Sequence, residues 1–231
     1  MTTPFQFVEW PCPAADGETR SEAALVFNRA RDTRLLVIPP LFEEANKLRR
    51  QIVEIMRRLD DAGIDSVLPD LPGCNESMAP LQAQTLAGWR QAVGAAAAHF
   101  GAAHVLAVRS GCWLVPDDVP AAFYAPAKPA QVLRNMLRAR VLAAKETGHP
   151  ETAEALLDDA RSNGIVLAGW QLGAELVGEL ETAVYDPSPR HRVVEQAELG
   201  GRPLWLRAEN DFDAAQADTL AAIVMAEMAD R

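Results

Sequence analysis

The chain has 231 residues, of which 49% are hydrophobic and 23% are charged, and its formal net charge at pH 7 is -10. This composition is typical of a soluble globular protein, and the length predicts one domain over residues 1–231. The acidic balance excludes a general nucleic-acid-binding protein, which presents a basic face. No apolar run reaches the roughly 18 residues of a membrane span.

The cysteine content predicts neither a disulfide framework nor a metal site. Cys12, Cys74 and Cys112 are odd in number and show no C-x-x-C spacing. Residues 1–11 contain no basic stretch followed by an apolar core, so no secretory signal is indicated. These features favour a cytoplasmic protein, and we expect it to use no cofactor and no metal.

The first half of the chain alternates between apolar, β-rich runs and helical patterns. A helix is predicted over residues 43–59, because Leu48, Ile52 and Ile55 share one face. A second, alanine-rich helix is predicted over residues 81–100. The predicted strands are residues 5–10, 23–28, 34–38, 64–68, 102–108 and 121–125. The alternation predicts an α/β fold with a mostly parallel central sheet and helices on both faces.

The second half of the chain is predicted to begin with a helical insertion. Helices over residues 129–147 and 151–162 are separated by Gly148-His149-Pro150, and we expect them to form a small cap, about residues 129–162, over the carboxyl edge of the sheet. The remaining predicted elements are a short apolar segment at 165–168, a helix at 172–180, strands at 192–197 and 203–208, and a closing helix at 214–228.

The segment Ala107-Val108-Arg109-Ser110-Gly111 follows the apolar strand and resembles a nucleophile elbow, a sharp strand-to-helix turn with the pattern G-x-S-x-G. Arg109 stands at its centre. A guanidinium group carries no nucleophilic lone pair at physiological pH. The pattern therefore predicts the turn without its usual chemistry.

Two further segments carry a family resemblance. Residues 67–77, V-L-P-D-L-P-G-C-N-E-S, resemble the D-x-P-G-x-G-x-S loop of the α/β-hydrolase superfamily, with Asn75 in place of the second glycine. Residues 38–50, I-P-P-L-F-E-E-A-N-K-L-R-R, are similar to a segment of the exosortase-system-associated hydrolases, which are bacterial proteins encoded beside exosortase and exopolysaccharide machinery. The second type of this family has an elbow similar to G-L-R-L-G, with arginine where Arg109 stands here. The resemblance implies an α/β-hydrolase fold.

Ser110 is an alternative nucleophile if the elbow is framed one residue later. That frame puts Val108 and Cys112 where the turn favours glycine or alanine. The fold places its catalytic histidine after the last strand, yet no histidine follows the predicted strand at 203–208, and His191 could serve only if the chain folds back unusually. Without a general base a serine hydroxyl is a poor nucleophile at neutral pH, so we expect no complete triad.

Arg109 is expected at the carboxyl edge of the sheet and at a helix N-terminus, where unpaired N–H groups favour an anion. An uncompensated buried charge costs about 3–5 kcal/mol, so we expect a partner for it. One interpretation is an internal salt bridge to Glu43, Glu44 or Asp70, which follow neighbouring strands. The other is a binding pocket for a phosphate, a carboxylate or a glycan acid.

Asn46 and Lys47 complete the candidate site. Together with Glu43 and Glu44 they occupy the place where active relatives build the oxyanion hole, so the resemblance implies a ligand-binding role for them. The spacing offers a structural alternative, because Glu43 with Lys47 and Asn46 with Arg50 lie four residues apart on a helix and can pair.

These observations together predict an α/β-hydrolase-like accessory protein of an exosortase or exopolysaccharide system. Its triad is degraded, and its elbow forms a pocket for an anion or a partner. The expected ligand is a small anion, a glycan or an acyl compound, and a protein of the exosortase system is the other expected partner. Two alternatives stay open: an active serine ester or thioester hydrolase using Ser110, and an interaction subunit that pairs with an active hydrolase encoded beside it.

Overall fold

A central sheet of seven strands organises the molecule. The computed structural model describes residues 5–14 and 16–229; the predicted domain also includes residues 1–4, 15, 230 and 231, which lie outside the described residues. The strands are β1 (Gln6–Pro13), β2 (Thr19–Phe27), β3 (Arg34–Ile38), β4 (Asp65–Pro69), β5 (His104–Val108), β6 (Ala121–Tyr124), β7 (Ile165–Leu167), β8 (Trp170–Leu172) and β9 (His191–Val194).

The strand order of the large sheet is β1-β2-β4-β3-β5-β6-β9, and β7 and β8 form a separate hairpin. From β4 to β9 all neighbours are parallel, whereas β1 and β2 add an antiparallel edge. A mostly parallel sheet with this order confirms the predicted fold class. The carboxyl ends of β3, β5 and β6 meet at one edge, which positions the candidate site.

Helices cover both faces of the sheet. They are α1 (Glu43–Asp61), α2 (Leu86–Phe100), α3 (Pro129–Glu146), α4 (Ala153–Asn163), α5 (Ala174–Thr182), α6 (Gln196–Leu199) and α7 (Ala214–Ala229). Helices α1 and α7 pack against each other on one face, and α2 lies on the other.

The all-apolar sequence of β3 follows from burial on both sides. Leu36 and Ile38 belong to the core on the α2 face, whereas Leu35 and Val37 belong to the core beneath α1 and α7. Successive side chains of a strand point to opposite faces. A parallel strand covered on both faces therefore reads as a continuous hydrophobic run rather than an alternating one.

The start of α2 differs from the prediction. Residues 81–100 were expected to form one helix, but Leu81–Ala83 form a 3-10 turn and α2 begins at Leu86. Thr85 is the reason, because it adopts an extended conformation and its Oγ1 accepts a hydrogen bond of 2.9 Å from the N–H of Gly88. A threonine at this position caps a helix and fixes where it begins.

One prediction for the C-terminal third is wrong. The strand expected at residues 203–208 is a 3-10 turn over Leu204–Leu206, so the last strand is β9. The residues between the cap helices and α5 form the β7–β8 hairpin, which turns through Ala168 and Gly169, both with positive φ. Short apolar runs do not distinguish a strand from a tight turn.

Helices α3, α4 and α5 and the β7–β8 hairpin lie between β6 and β9 along the chain. Helix α5 packs against both α3 and α4, and α3 reaches the carboxyl edge of the sheet. Within residues 5–14 and 16–229, no helix is both long enough and apolar enough to cross a lipid bilayer.

Candidate functional site

The turn after β5 has the backbone of a nucleophile elbow, with Arg109 at its apex. The chain leaves β5 and forms a 3-10 turn over Arg109–Leu114. Arg109 has a φ of 55°, a left-handed conformation that a non-glycine residue keeps only where its surroundings enforce it. A Cβ atom added to Gly111 would lie 2.5 Å from the carbonyl oxygen of Pro39 and 2.7 Å from that of Ile38. The final glycine of the elbow is therefore required by the close approach of β3.

The guanidinium of Arg109 is held by three groups of the same chain. Its Nε and Nη2 donate to the two carboxylate oxygens of Glu44, at 3.0 and 3.1 Å, and its Nη1 donates to the carbonyl of Ala125 at 2.7 Å. The Cζ atom lies 4.0 Å from the centre of the Trp205 ring, a cation–π contact. Glu44 is thus the internal partner among the three candidates that the sequence offered.

Ser110 lies directly after the apex and is almost fully buried, with 1% of its surface exposed. Its Oγ accepts a hydrogen bond of 2.7 Å from the N–H of Leu41. Leu41 belongs to the loop between β3 and α1, from which α/β-hydrolases take one of their two oxyanion-hole donors. The serine hydroxyl therefore binds one N–H group of the loop that supplies an oxyanion donor in active enzymes of this fold.

His191 opens β9 and lies three residues, about 10 Å, before the carboxyl end of that strand. Its Nδ1 accepts a hydrogen bond of 3.1 Å from the N–H of Ser188, and its Nε2 is 3.3 Å from the carbonyl oxygen of Pro116. Both ring nitrogens are thus engaged by the backbone, and neither bonds to Ser110. His191 lines a separate cavity of about 640 Å³.

The first turns of α1 bring three of the predicted residues to the elbow. Glu43, Glu44 and Lys47 all line the cavity above Arg109. The predicted pairing of Glu43 with Lys47 is confirmed, because their charged atoms are 2.9 Å apart. Asn46 is exposed on another side of α1, outside that lining.

Asp70 lies apart from this cluster and supports the loop after β4. Its carboxylate accepts a hydrogen bond of 2.9 Å from the side-chain amide of Asn75 and lies 3.5 Å from a guanidinium nitrogen of Arg49. Burial raises the pKa of Asp70, and the charge of Arg49 opposes that rise. This carboxylate does not line the cavity above Arg109.

We call the cavity above Arg109 and Ser110 the elbow pocket; its volume is about 450 Å³. Helix α3 lines it with a single face, and aromatic rings of the β3–α1 loop, β8 and the 3-10 turn at Leu204–Leu206 form its walls. Its lining comprises Leu41, Phe42, Glu43, Glu44, Lys47, Arg109, Ser110, Ala127, Lys128, Gln131, Val132, Asn135, Met136, Ala139, Ala168, Trp170, Trp205 and Leu206. A pocket of this size admits a small organic molecule.

Trp205, Trp170 and Lys128 are among the elbow-pocket residues that were not predicted from the sequence. Trp205 lay inside a segment that was predicted as a strand, and Trp170 lies between the predicted apolar segment at 165–168 and the predicted helix at 172–180. Lys128 precedes α3 and carried no motif. The segments that carry the two tryptophans are short and show no periodicity that places them at the site.

The cysteine beside the elbow is not poised for chemistry. The Cys112 thiol is buried and donates a hydrogen bond of 3.4 Å to the carbonyl of Ala107. Burial raises the pKa of this thiol well above its ordinary value, so the nucleophilic thiolate is not formed at neutral pH. In the described part of the chain, no group of three His, Cys, Asp or Glu residues is arranged to hold a metal ion.

Solved structures provide the comparison with known proteins. No protein-family model matches the sequence, and neither does any curated protein sequence. A protein from Agrobacterium vitis S4 described as a hydrolase superposes with a TM-score of 0.53 and 16% identity, over 97% of this chain and 99% of that one. DcsB, solved with its substrate analogue, gives a TM-score of 0.56 and 10% identity over the same shares of the two chains.

At such identities the comparison concerns the fold alone. Both structures are matched over nearly their whole length, so the similarity extends over the whole fold. The alpha/beta hydrolase GrgF from Penicillium sp. sh18 is also similar, with a TM-score of 0.44 and 15% identity over 65% of this chain and 57% of that one. The described residues of this chain adopt the α/β-hydrolase fold.

Proposed function

We propose that this chain is a non-hydrolytic accessory protein of an exosortase or exopolysaccharide system. It acts in the cytoplasm as one domain and binds a ligand or a partner protein at the elbow pocket. The residues of this pocket hold the ligand, and no residue at the elbow forms a covalent intermediate with it.

The contact that carries this proposal is the bidentate pair of Arg109 with Glu44. Acyl transfer in this fold needs a nucleophile at the apex of the elbow. Here the apex side chain is a cation with no nucleophilic lone pair. The charge of this side chain is neutralised by Glu44, so Arg109 has a structural role at the base of the elbow pocket.

The contacts of Ser110 argue against the alternative nucleophile. Activation of a serine requires a general base within hydrogen-bond reach of Oγ. The Oγ of Ser110 bonds to the Leu41 N–H, and the ring of His191 bonds to the backbone of Ser188 and Pro116. Ser110 therefore has no histidine base within hydrogen-bond reach of its Oγ.

The link to an exosortase system rests on the resemblance of residues 38–50 and of the arginine-centred elbow. The structure gives that resemblance a physical context, because Glu44 from this segment is the partner of Arg109. The two most specific parts of the motif thus contact each other.

Labelling with a fluorophosphonate probe tests the absence of a catalytic serine. We expect no modification of Ser110 in the wild-type protein after prolonged exposure, as measured by mass spectrometry of the intact chain and its peptides. A serine hydrolase labelled in the same reaction is the positive control, and the Ser110→Ala variant is the matched negative control. Stoichiometric labelling that Ser110→Ala abolishes would show an active serine hydrolase and overturn the proposal.

A further inference from the structure

The charges in the elbow pocket do not balance. Its lining contains three cations (Lys47, Arg109 and Lys128) and two carboxylates (Glu43 and Glu44). Glu44 forms an ion pair with Arg109, and Glu43 forms an ion pair with Lys47. One positive charge is left over, in a chain whose net charge is -10.

Lys128 carries that unpaired charge. It is exposed at the rim, immediately before α3, and makes no ion pair or hydrogen bond through its ammonium group with the described residues. The first turn of α3 contains no acidic residue and no side-chain cap. The positive end of the helix dipole therefore adds to the field of Lys128 at the same place.

The remainder of the elbow pocket is largely apolar. Phe42 and Trp170 meet edge to face with their ring centres 6.0 Å apart, and Trp205 lies under the Arg109 guanidinium. Helix α3 contributes Val132 and Met136 to the same lining. A methionine fills irregular apolar space by changing rotamer, so this wall adapts to chains of different shape.

We propose that the elbow pocket binds an amphipathic anion: an apolar chain or ring lies between the aromatic walls and α3, and a carboxylate or phosphate head group contacts Lys128. The proposal rests on the non-hydrolytic binding role and adds the class of ligand. It also relocates the anion site, because the charge of Arg109 is already matched by Glu44. Desolvating the apolar part supplies most of the affinity, and the head group fixes the orientation.

Titration calorimetry with decanoate tests both halves of the ligand. We expect one decanoate to bind per chain, 1-decanol to bind more weakly, and acetate, which has the head group alone, to show no measurable binding. Decyl phosphate is the second arm and distinguishes a phosphate from a carboxylate preference. Failure of decanoate and decyl phosphate to bind the wild-type protein would overturn the inference.

Lys128→Gln and Lys145→Gln are the matched pair of variants. Lys145 lies near the other end of α3, is exposed and lines no part of the elbow pocket. Lys128→Gln should weaken decanoate binding about fivefold, the effect of one exposed charge contact, and leave 1-decanol unchanged. Equal decanoate affinities for the Lys128→Gln and wild-type proteins would refute the head-group assignment.

Ala139→Phe tests the position of the apolar chain, because Ala139 lies on the exposed side of α3 and lines the elbow pocket. A ring at this position fills the pocket and should abolish binding, with an unchanged circular-dichroism spectrum as the folding control. Unchanged decanoate affinity would place the ligand elsewhere. Labelling of Ser110 by the fluorophosphonate would defeat the proposed function instead, so the two failures are distinguishable.

Discussion

At the residue scale, the sequence identified the need of Arg109 for a partner but not the full set of contacts. The cost of a buried, unpaired guanidinium and the strand order were enough to name three carboxylates, of which Glu44 is the partner. The contact with Trp205 could not be derived, because the segment that carries this ring was predicted as a strand and forms a 3-10 turn. The bond from Leu41 to Ser110 was also out of reach, since it depends on the path of a loop backbone.

A double-mutant cycle with Arg109→Met and Glu44→Gln measures the coupling energy between these two side chains. Both side chains are largely buried, at 15% and 25% exposure, so each single change leaves a partly desolvated group without its partner. We expect a coupling energy of about 1–3 kcal/mol by chemical denaturation.

The Glu43–Lys47 pair on the same helix is the matched control for this cycle. Glu43 is 67% exposed, and exposed pairs of this kind couple by about 0.5 kcal/mol or less. If the two cycles gave equal coupling, Arg109 would contribute no more than a surface charge does.

At the element scale, periodicity predicted which segments are helical, and local chemistry decided where they begin. The pattern of apolar residues in 81–100 suits a helix throughout, yet Thr85 forms the N-cap of α2, so the helix begins at Leu86. A side chain from a distant element assists, because the carboxylate of Glu179 in α5 accepts a hydrogen bond of 2.6 Å from the N–H of Leu86. No local sequence window contains that contact.

Replacing Thr85 with alanine should destabilise the protein by about 1 kcal/mol, because a helix that carries the core residue Trp89 loses its N-cap. Thr152→Ala removes the equivalent cap of α4, whose only buried residue is Ala160. We expect that second change to alter the midpoint of global unfolding by less than half as much. Equal effects in urea denaturation would show that α4 unfolds together with the sheet.

At the scale of the whole molecule, the alternation of strands and helices was sufficient to predict the sheet, whereas the site could not be predicted from it. The elbow pocket combines residues from α1, the turn after β5, α3, the β7–β8 hairpin and the 3-10 turn at Leu204–Leu206. The sequence described the first three of these correctly. The last two are short segments whose conformation is set by what they pack against, so single-sequence reasoning had no basis for them.

Hydrogen exchange should divide the molecule into a stable sheet and a cap that opens more easily. Strands β3 and β5 are bonded on both sides and lie between two hydrophobic cores, so their amides should exchange only through global unfolding. The amides of helix α4 should exchange at least about a hundredfold faster, because this helix buries little apolar surface against the rest of the protein. Equal protection of α4 and β5 would contradict this division.

The contacts of Arg109 also bear on the order in which the molecule assembles. Its side chain joins residues that are 65 positions away in the chain at Glu44 and 16 positions away at Ala125, and its ring contact reaches forward to Trp205. Contacts of such long sequence separation form after loop closure. We therefore expect the contacts of Arg109 to form late in folding. Loss of this side chain should leave the folding rate nearly unchanged and increase the unfolding rate. The position that other members of the fold use for chemistry thus contributes here to the kinetic stability of the native state.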